Sequence, residues 1–392
     1  MADTADARLE FIADLKRSAD WSDWRWQLRN RISSVEKLSK YISLSAEDQA
    51  GVKSAGDAFR WTITPYYASL MDQDDPACPL RRQQIPSLSE MSDDAGVSDP
   101  LGEQRNSPVK SIVHVYPDRV ALKVTNVCPT YCRYCFREYF VGDQQAHPPA
   151  DQVDAAIDYV RQHTEIRDVL LTGGDPALLS DERLEDIFRR LRAISHVEII
   201  RLGTRTPCTL PQRITEGFAS MLAAYHPVWL NTHFNHPDEV TPEATQACDR
   251  LTRAGVPVGN QSVLLKGIND DLDVMRDLVH ALVKIRVRPY YIFQCQLLKG
   301  TAHFRTPIEQ GMSIVEQLCG HTTGFAVPQY ILDTPHGKVP ISSNYVAGRD
   351  GELVVLKTWG GRLWKEPNEQ DGNQDLTLPQ IKAPDAETLD TF

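Results

Sequence analysis

Cys128-Pro129-Thr130-Tyr131-Cys132-Arg133-Tyr134-Cys135 sets three cysteines at spacings of four and three, directly after the alternating run Val120-Ala121-Leu122-Lys123-Val124. Thiolates this close in sequence can wrap one corner of a cubic iron–sulfur cluster, which ordinarily takes four ligands. Three protein ligands leave one iron open to a small molecule, and an open iron turns an electron carrier into a catalytic centre. The competing readings are a structural zinc site, or three thiols at a strand end by chance. Zinc prefers four tetrahedral ligands in paired spacings, and no fourth Cys or His follows at the usual distance. The spacing therefore favours the cluster.

Working outward from that loop, short β-branched runs alternate with amphipathic helical patterns. Candidate strands lie at 120–125, 168–172, 197–202, 228–232, 256–265 and 289–295, with helical stretches near 151–163, 181–193, 211–224, 242–254 and 271–285. A repeat of about 30 residues in strand–helix order predicts parallel βα units. Helix starts are marked by Ser180 ahead of Asp181-Glu182 and by Thr241-Pro242-Glu243, which supplies a cap, a first-turn proline and an acid. Six units fit before the pattern breaks near 325, so the expected fold is α/β, a partial (β/α)6 TIM-like barrel. Parallel barrels gather their functional groups at the carboxyl ends of the strands. Here those ends carry the cysteine loop, Gly173-Gly174-Asp175, Thr204-Arg205-Thr206, His233, Gln261 and Gln294-Cys295-Gln296, all at one mouth.

Residues 1 to about 60 read as helices with Trp21, Trp24 and Gln27-Leu28 on one face, an aromatic stripe that packs on a larger body. Residues 72–108 are rich in Asp, Pro and Ser and read as an extended connector. The expected organisation is a helical N-terminal domain with its connector over 1–108 and the barrel over 109–324. A segment of short irregular strands over 325–365 then covers the barrel's open side, followed by an acidic, Gln-rich tail, 366–392, expected to be disordered.

With 41% hydrophobic and 24% charged residues, the 392-residue chain has an ordinary globular composition. Its net charge of −11 and pI near 5.5 argue against nucleic-acid or anionic-membrane partners, which require basic patches. The charged N-terminus and the lack of a long apolar run predict a cytoplasmic protein without a membrane span. Eight cysteines, three clustered and five scattered, do not read as a disulfide framework.

Gly173-Gly174 permits close backbone approach to a ligand. Asp175 reads equally well as a turn-capping carboxylate. Lys338, in His336-Gly337-Lys338-Val339-Pro340, is by default an exposed loop lysine. In a partly desolvated pocket its amine loses a proton more readily, as carbonyl capture requires.

The cysteine spacing resembles the signature of the radical S-adenosylmethionine (SAM) enzymes. Further runs extend the likeness: Tyr116-Pro117-Asp118-Arg119, Leu170-Leu171-Thr172-Gly173-Gly174-Asp175, Thr204-Arg205-Thr206-Pro207, Trp229 to Pro237, Gly259 to Leu265 and Arg288-Pro289-Tyr290-Tyr291. Together they are similar to the lysine 2,3-aminomutase family from Trp21 to about Trp364. That resemblance implies an isomerase that uses SAM and pyridoxal 5′-phosphate (PLP) to move an amino group from Cα to Cβ. By it, Cys128, Cys132 and Cys135 ligate a [4Fe–4S] cluster, Lys338 holds PLP, and Arg119 faces the PLP phosphate. Arg137 grips the substrate α-carboxylate, while Tyr134, Gly173, Gly174, Asp175, His233 and Gln261 surround SAM. The implied partners are a small amino acid, a reducing electron donor and further copies of the chain.

Lysine-specific members hold the substrate's ε-ammonium with two aspartates. One is kept as Asp333 and the other is replaced by Gln296. Loss of one anion weakens compensation for a buried ammonium, and a glutamate substrate would meet Asp333 at like charge. A guanidinium could pair with Asp333 and give a further N–H to Gln296. The expected reaction is therefore L-arginine to β-arginine, with L-lysine to β-lysine as the alternative.

Overall fold

Along Arg119–Thr125 the apolar residues Val120, Leu122 and Val124 are buried, while Arg119, Ala121 and Lys123 between them stay half open. This period of two is what a strand with one covered face requires. The same alternation recurs in Asp168–Gly173 through Val169 and Leu171, and in Ile199–Gly203 through Ile200 and Leu202. The computed structural model describes residues 2–92, 96–142, 146–342, 345–350, 353–358 and 361–367. In it nine such segments form one sheet in chain order. They are β1 (Ile112–Tyr116), β2 (Arg119–Thr125), β3 (Asp168–Gly173), β4 (Ile199–Gly203), β5 (Val228–Thr232), β6 (Val258–Leu264), β7 (Val287–Gln294), β8 (Gln329–Thr334) and β9 (Gly337–Ile341). Strands β2 to β8 run parallel, and the sheet is bordered by antiparallel pairs, β1 with β2 and β8 with β9.

The helices between the strands start where the caps predict: the Ser180 side chain accepts from the Arg183 N–H and Thr241 from the Ala244 N–H. Their apolar faces, such as Leu184, Ile187, Phe188 and Leu191, are buried against the sheet's outer side. Each such residue contributes roughly 1.5–3 kcal/mol. The concave side is not filled with aliphatics as a closed barrel's is; Trp229 there is 48% exposed.

Three expectations are corrected. The pattern does not end at six units: helix Ile308–Leu318 leads to β8, which adds a seventh parallel strand instead of lying over the barrel. That helix packs its Gly311 against Tyr330, whose ring lies 2.3 Å from where a Cβ would stand, and a glycine in mid-helix obscures the periodicity. The N-terminal helices are not a separate body. Residues 1–342 make one compact unit in which Trp21, Ile63, Tyr66 and Tyr67 share a core with Val120, Leu171 and Ile200. Thr64 Oγ1 donates to the Thr209 carbonyl at 2.8 Å and Tyr67 OH to Glu239 at 2.6 Å, tying that segment to the barrel loops. Finally, the connector is largely folded. It carries helix Pro79–Gln84, whose Leu80, Arg81, Gln83 and Gln84 are buried, and its Pro and Asp residues serve as helix-start and turn residues.

Residues 343–392 form a second unit. Its described part is an antiparallel sheet of β10 (Val346–Asp350), β11 (Leu353–Lys357) and β12 (Leu363–Pro367). The tail expected over 366–392 lies, from residue 368 on, outside the described residues. No helix among the described residues is long and apolar enough to cross a membrane.

Candidate active site

The cysteine loop leaves β2 and is stapled to the N-terminal segment by its backbone. The Tyr131 N–H donates to the Thr62 carbonyl at 3.1 Å and the Arg133 N–H to the Gln83 carbonyl at 2.9 Å. Arg133 is turned away from the mouth: its guanidinium grips Glu90 at 2.5–3.2 Å and the carbonyls of Phe59 and Arg60. Cys128, Cys132 and Cys135 are half-buried free thiols. Burial pushes the Cys135 thiol up to about 12 and the Cys128 thiol well above its ordinary value, and the neighbouring thiols add to both. Alone, such thiols stay protonated; a soft, positively charged metal centre supplies what their thiolate forms need. Among the described residues no three His, Cys, Asp or Glu side chains are grouped to hold a single metal ion. A cube of iron and sulfide takes each thiolate on a different iron. The donor set fits the cluster.

Gly173 ends β3 and Gly174 follows it, and their backbone crosses that of the residues just ahead of the cysteines. A Cβ on Gly173, with φ of +129°, would stand 2.2 Å from the Thr125 carbonyl oxygen, and one on Gly174 2.5 Å from that of Val127. The pair is thus needed for backbone to approach backbone, not ligand alone. Asp175 takes the capping alternative. Its Oδ1 accepts from Thr204 Oγ1 at 2.5 Å and the Ala177 N–H at 3.1 Å, and its Oδ2 from the Arg205 N–H at 2.8 Å. Burial raises its pKa to about 6 against those hydrogen bonds. Its carboxylate is inward and shapes the loop.

Around the cysteines the structure brings Tyr134 and His233 together, stacked at 5.8 Å with OH and Nε2 3.0 Å apart. Burial first, and Arg205 second, hold His233 well below the usual histidine range, so it is neutral at pH 7. A backbone hydrogen bond links it to Gln261 on β6. Two buried polar atoms of this region, Gln83 Nε2 and Thr232 Oγ1, have no protein partner. Buried polar atoms are ordinarily paired, and a polar cofactor at this mouth fits them.

At the other end, Lys338 Nζ lies 3.1 Å from Asp333 Oδ2 and 5.5 Å from the Phe293 ring centre. The two residues are opposite each other across the β8–β9 hairpin, whose turn is Pro335-His336. Tyr116 closes this wall: its OH accepts from the Lys338 N–H at 2.7 Å, and the Arg119 guanidinium lies 3.7 Å over its ring. An amine beside a fixed cation on an aromatic wall suits the carbonyl and phosphate of PLP. Arg137 is held by Glu103 at 2.6–3.1 Å and by Thr172 Oγ1 at 2.7 Å. Burial opposes the charge on both, and each restores the other's: Glu103 stays below the carboxylate range through Arg137. Gln296 Nε2 donates to the Asp333 main-chain carbonyl at 3.1 Å.

Sequence reasoning did not single out Gln83, Glu103, Tyr116, Asn235 or Glu239 as site residues. Tyr116 sits three residues before Arg119 within a quoted run and was within reach; Gln83 and Glu103 lie in the presumed connector, and nothing local marks them.

Comparison with known proteins adds the following. The model of the radical SAM superfamily matches residues 122–279, and a lysine-2,3-aminomutase model matches residues 315–386. The chain is 52% identical over 365 residues to the L-lysine 2,3-aminomutase of Clostridium subterminale, covering 92% of this chain and 88% of that one. It is 51% identical to the L-lysine 2,3-aminomutase of Fusobacterium nucleatum, over 91% and 85% of the two chains. The glutamate 2,3-aminomutase of Clostridioides difficile is 47% identical, over 89% and 83%.

Proposed function

The chain belongs to the lysine 2,3-aminomutase family of radical SAM enzymes, isomerases of amino acids that work with a [4Fe–4S] cluster, SAM and PLP, and from that premise we propose that its substrate is L-lysine and its product β-lysine. The observation that carries the choice is the contact of Asp333 Oδ2 with a primary ammonium, that of Lys338, at 3.1 Å. A lysine substrate presents the same group. Gln296, on which the arginine expectation depended, donates its amide N–H to the Asp333 main-chain carbonyl and so sits beside the acid as its support. The relatives are named for lysine or glutamate, none of those above for arginine. Glutamate would bring a carboxylate against Asp333.

In this reading Cys128, Cys132 and Cys135 hold the cluster, and Tyr134, His233 and Gln261 border SAM, with Gly173, Gly174 and Asp175 shaping the loop beneath. Lys338 holds PLP, and Arg119 neutralises its phosphate. When bound, the cluster and SAM would supply a carbon radical able to take hydrogen from the substrate Cβ, and PLP would supply a carbonyl carbon that keeps hold of the nitrogen and delocalises the unpaired electron while the nitrogen passes from Cα to Cβ. The protein's own part is orientation. Arg137, squared by Glu103 and Thr172, presents its remaining N–H edge to the α-carboxylate, and Asp333 fixes the far ammonium. Neutral His233 adds no positive charge of its own beside the sulfonium of SAM.

The test is an anaerobic competition among L-lysine, L-arginine and L-glutamate on reconstituted protein, with β-isomers read by mass. β-Lysine should dominate; β-arginine in excess would restore the arginine reading, and SAM cleavage without any β-isomer would end the aminomutase assignment.

A further inference from the structure

Arg205 follows β4 and is 9% exposed. Its donors are distributed among four partners. Nη1 reaches Cys132 Sγ at 2.6 Å, Nη2 donates to Gln83 Oε1 and Glu239 Oε1, each at 2.8 Å, and Nε donates to the His233 carbonyl at 3.1 Å. Glu239, fully buried, is fixed in turn by Tyr67 OH at 2.6 Å and by the N–H groups of Asn235 and His236 at 2.6 and 3.1 Å. A buried ion pair is often only a structural tie, and by itself says nothing of function. What sets this one apart is the bond to sulfur, made by the one cation type that keeps its charge at any working pH.

The potential of an iron–sulfur centre depends on its net charge and on hydrogen bonds to its sulfurs. Reduction from [4Fe–4S]2+ to [4Fe–4S]+ adds one electron, delivered by an external low-potential one-electron donor. A permanent cation on a ligand sulfur stabilises the reduced form more than the oxidised one, and in a buried setting water screens it little. The Glu239 carboxylate, one guanidinium farther away, offsets part of that field. We infer that the Arg205–Glu239 pair sets the reduction potential of the cluster through Cys132 Sγ, with Arg205 as a positioning residue. The pair thereby decides how strongly reducing the donor has to be. This rests on the assignment of Cys128, Cys132 and Cys135 as cluster ligands.

An anaerobic redox titration of the full reconstituted chain, without substrate and followed by the electron paramagnetic resonance of the reduced cluster, tests it, with iron and sulfide counted in each sample. Arg205→Gln should lower the midpoint so that the reduced-to-oxidised ratio at fixed potential falls at least tenfold, equivalent to 59 mV for one electron. Arg205→Lys, which keeps the charge, should recover most of the shift. Glu239→Gln, which removes the opposing charge, should move the midpoint the other way. Equal midpoints, or shifts of the same sign in Arg205→Gln and Glu239→Gln, overturn the inference. If Arg205→Gln fails to retain iron, the sign of the Glu239→Gln shift decides alone. Wild-type chain that takes up no iron and sulfide would instead overturn the cluster assignment on which the inference stands.

Discussion

The two ends of the mouth are built differently. Around the cysteines, charged and polar groups are held from several elements at once: the Arg205 guanidinium has four partners, Gln83 Oε1 accepts from Tyr134, Arg205 and Asn235, and Arg133 is clasped by Glu90 and the carbonyls of Ala55, Phe59 and Arg60. Around Lys338 the contacts are few, and the lysine and Asp333 side chains remain 32% and 17% exposed. Generating a radical calls for fixed geometry, since misplacement by an ångström is costly. In the proposed function the lysine end has to exchange partners as PLP and substrate enter, and its Asp333 contact is one that each arrival would replace.

If the ends are independent in this way, their variants should separate cleanly. Lys338→Ala should abolish activity and the visible absorbance of bound PLP while leaving iron and sulfide content at the wild-type level; loss of both cofactors together would break the contrast. Arg133→Met leaves the largely buried Glu90 carboxylate without its cation. Such a break costs about 3–5 kcal/mol, read as a large fall in thermal or denaturant midpoint. Arg119→Met, at the open end, breaks a pair with Asp118 whose side chains are 38% and 40% exposed, which costs below about 1 kcal/mol. Similar losses in the two would show the ends to be equally rigid.

Asp333→Asn should lower kcat/KM for L-lysine about tenfold or more, since a charge-assisted hydrogen bond contributes roughly 1.5–3 kcal/mol, with PLP content intact. The smallest effect concerns pH. His233 is held neutral in the folded chain, so its contribution to stability is present above the unfolded histidine pKa of about 6.5 and fades as pH falls toward its lowered folded value. The unfolding free energy should decline below pH 6.5, and His233→Gln should flatten that slope.

The contrast also explains what could be read from the chain. The cysteine spacing, the strand alternation and the caps at Ser180 and Thr241 are local, so their signals survive in one dimension. β8 was missed as a barrel strand because Gly311 and the irregular stretch after β7 interrupt the repeat. The partners of the cysteine loop come from helix Pro79–Gln84 and from Glu90 and Glu103, within a stretch whose Asp and Pro content reads as unstructured. Their side chains are buried by tertiary packing that no local periodicity encodes. Asp175 shows the reverse case: both of its roles were legible, and only the positions of Thr204 and Arg205 decide between them.

Asp333 and Lys338 face each other across a hairpin whose turn is two residues long. Strand side chains alternate faces, so one residue added to that turn would send Lys338 to the opposite side of the sheet from Asp333. In the proposed function the hairpin therefore works as a ruler: it couples the acid proposed to grip the substrate to the lysine proposed to hold the cofactor. A change in substrate length has to be met by the walls of the mouth, because the distance between these two marks is set by the count of residues in a turn.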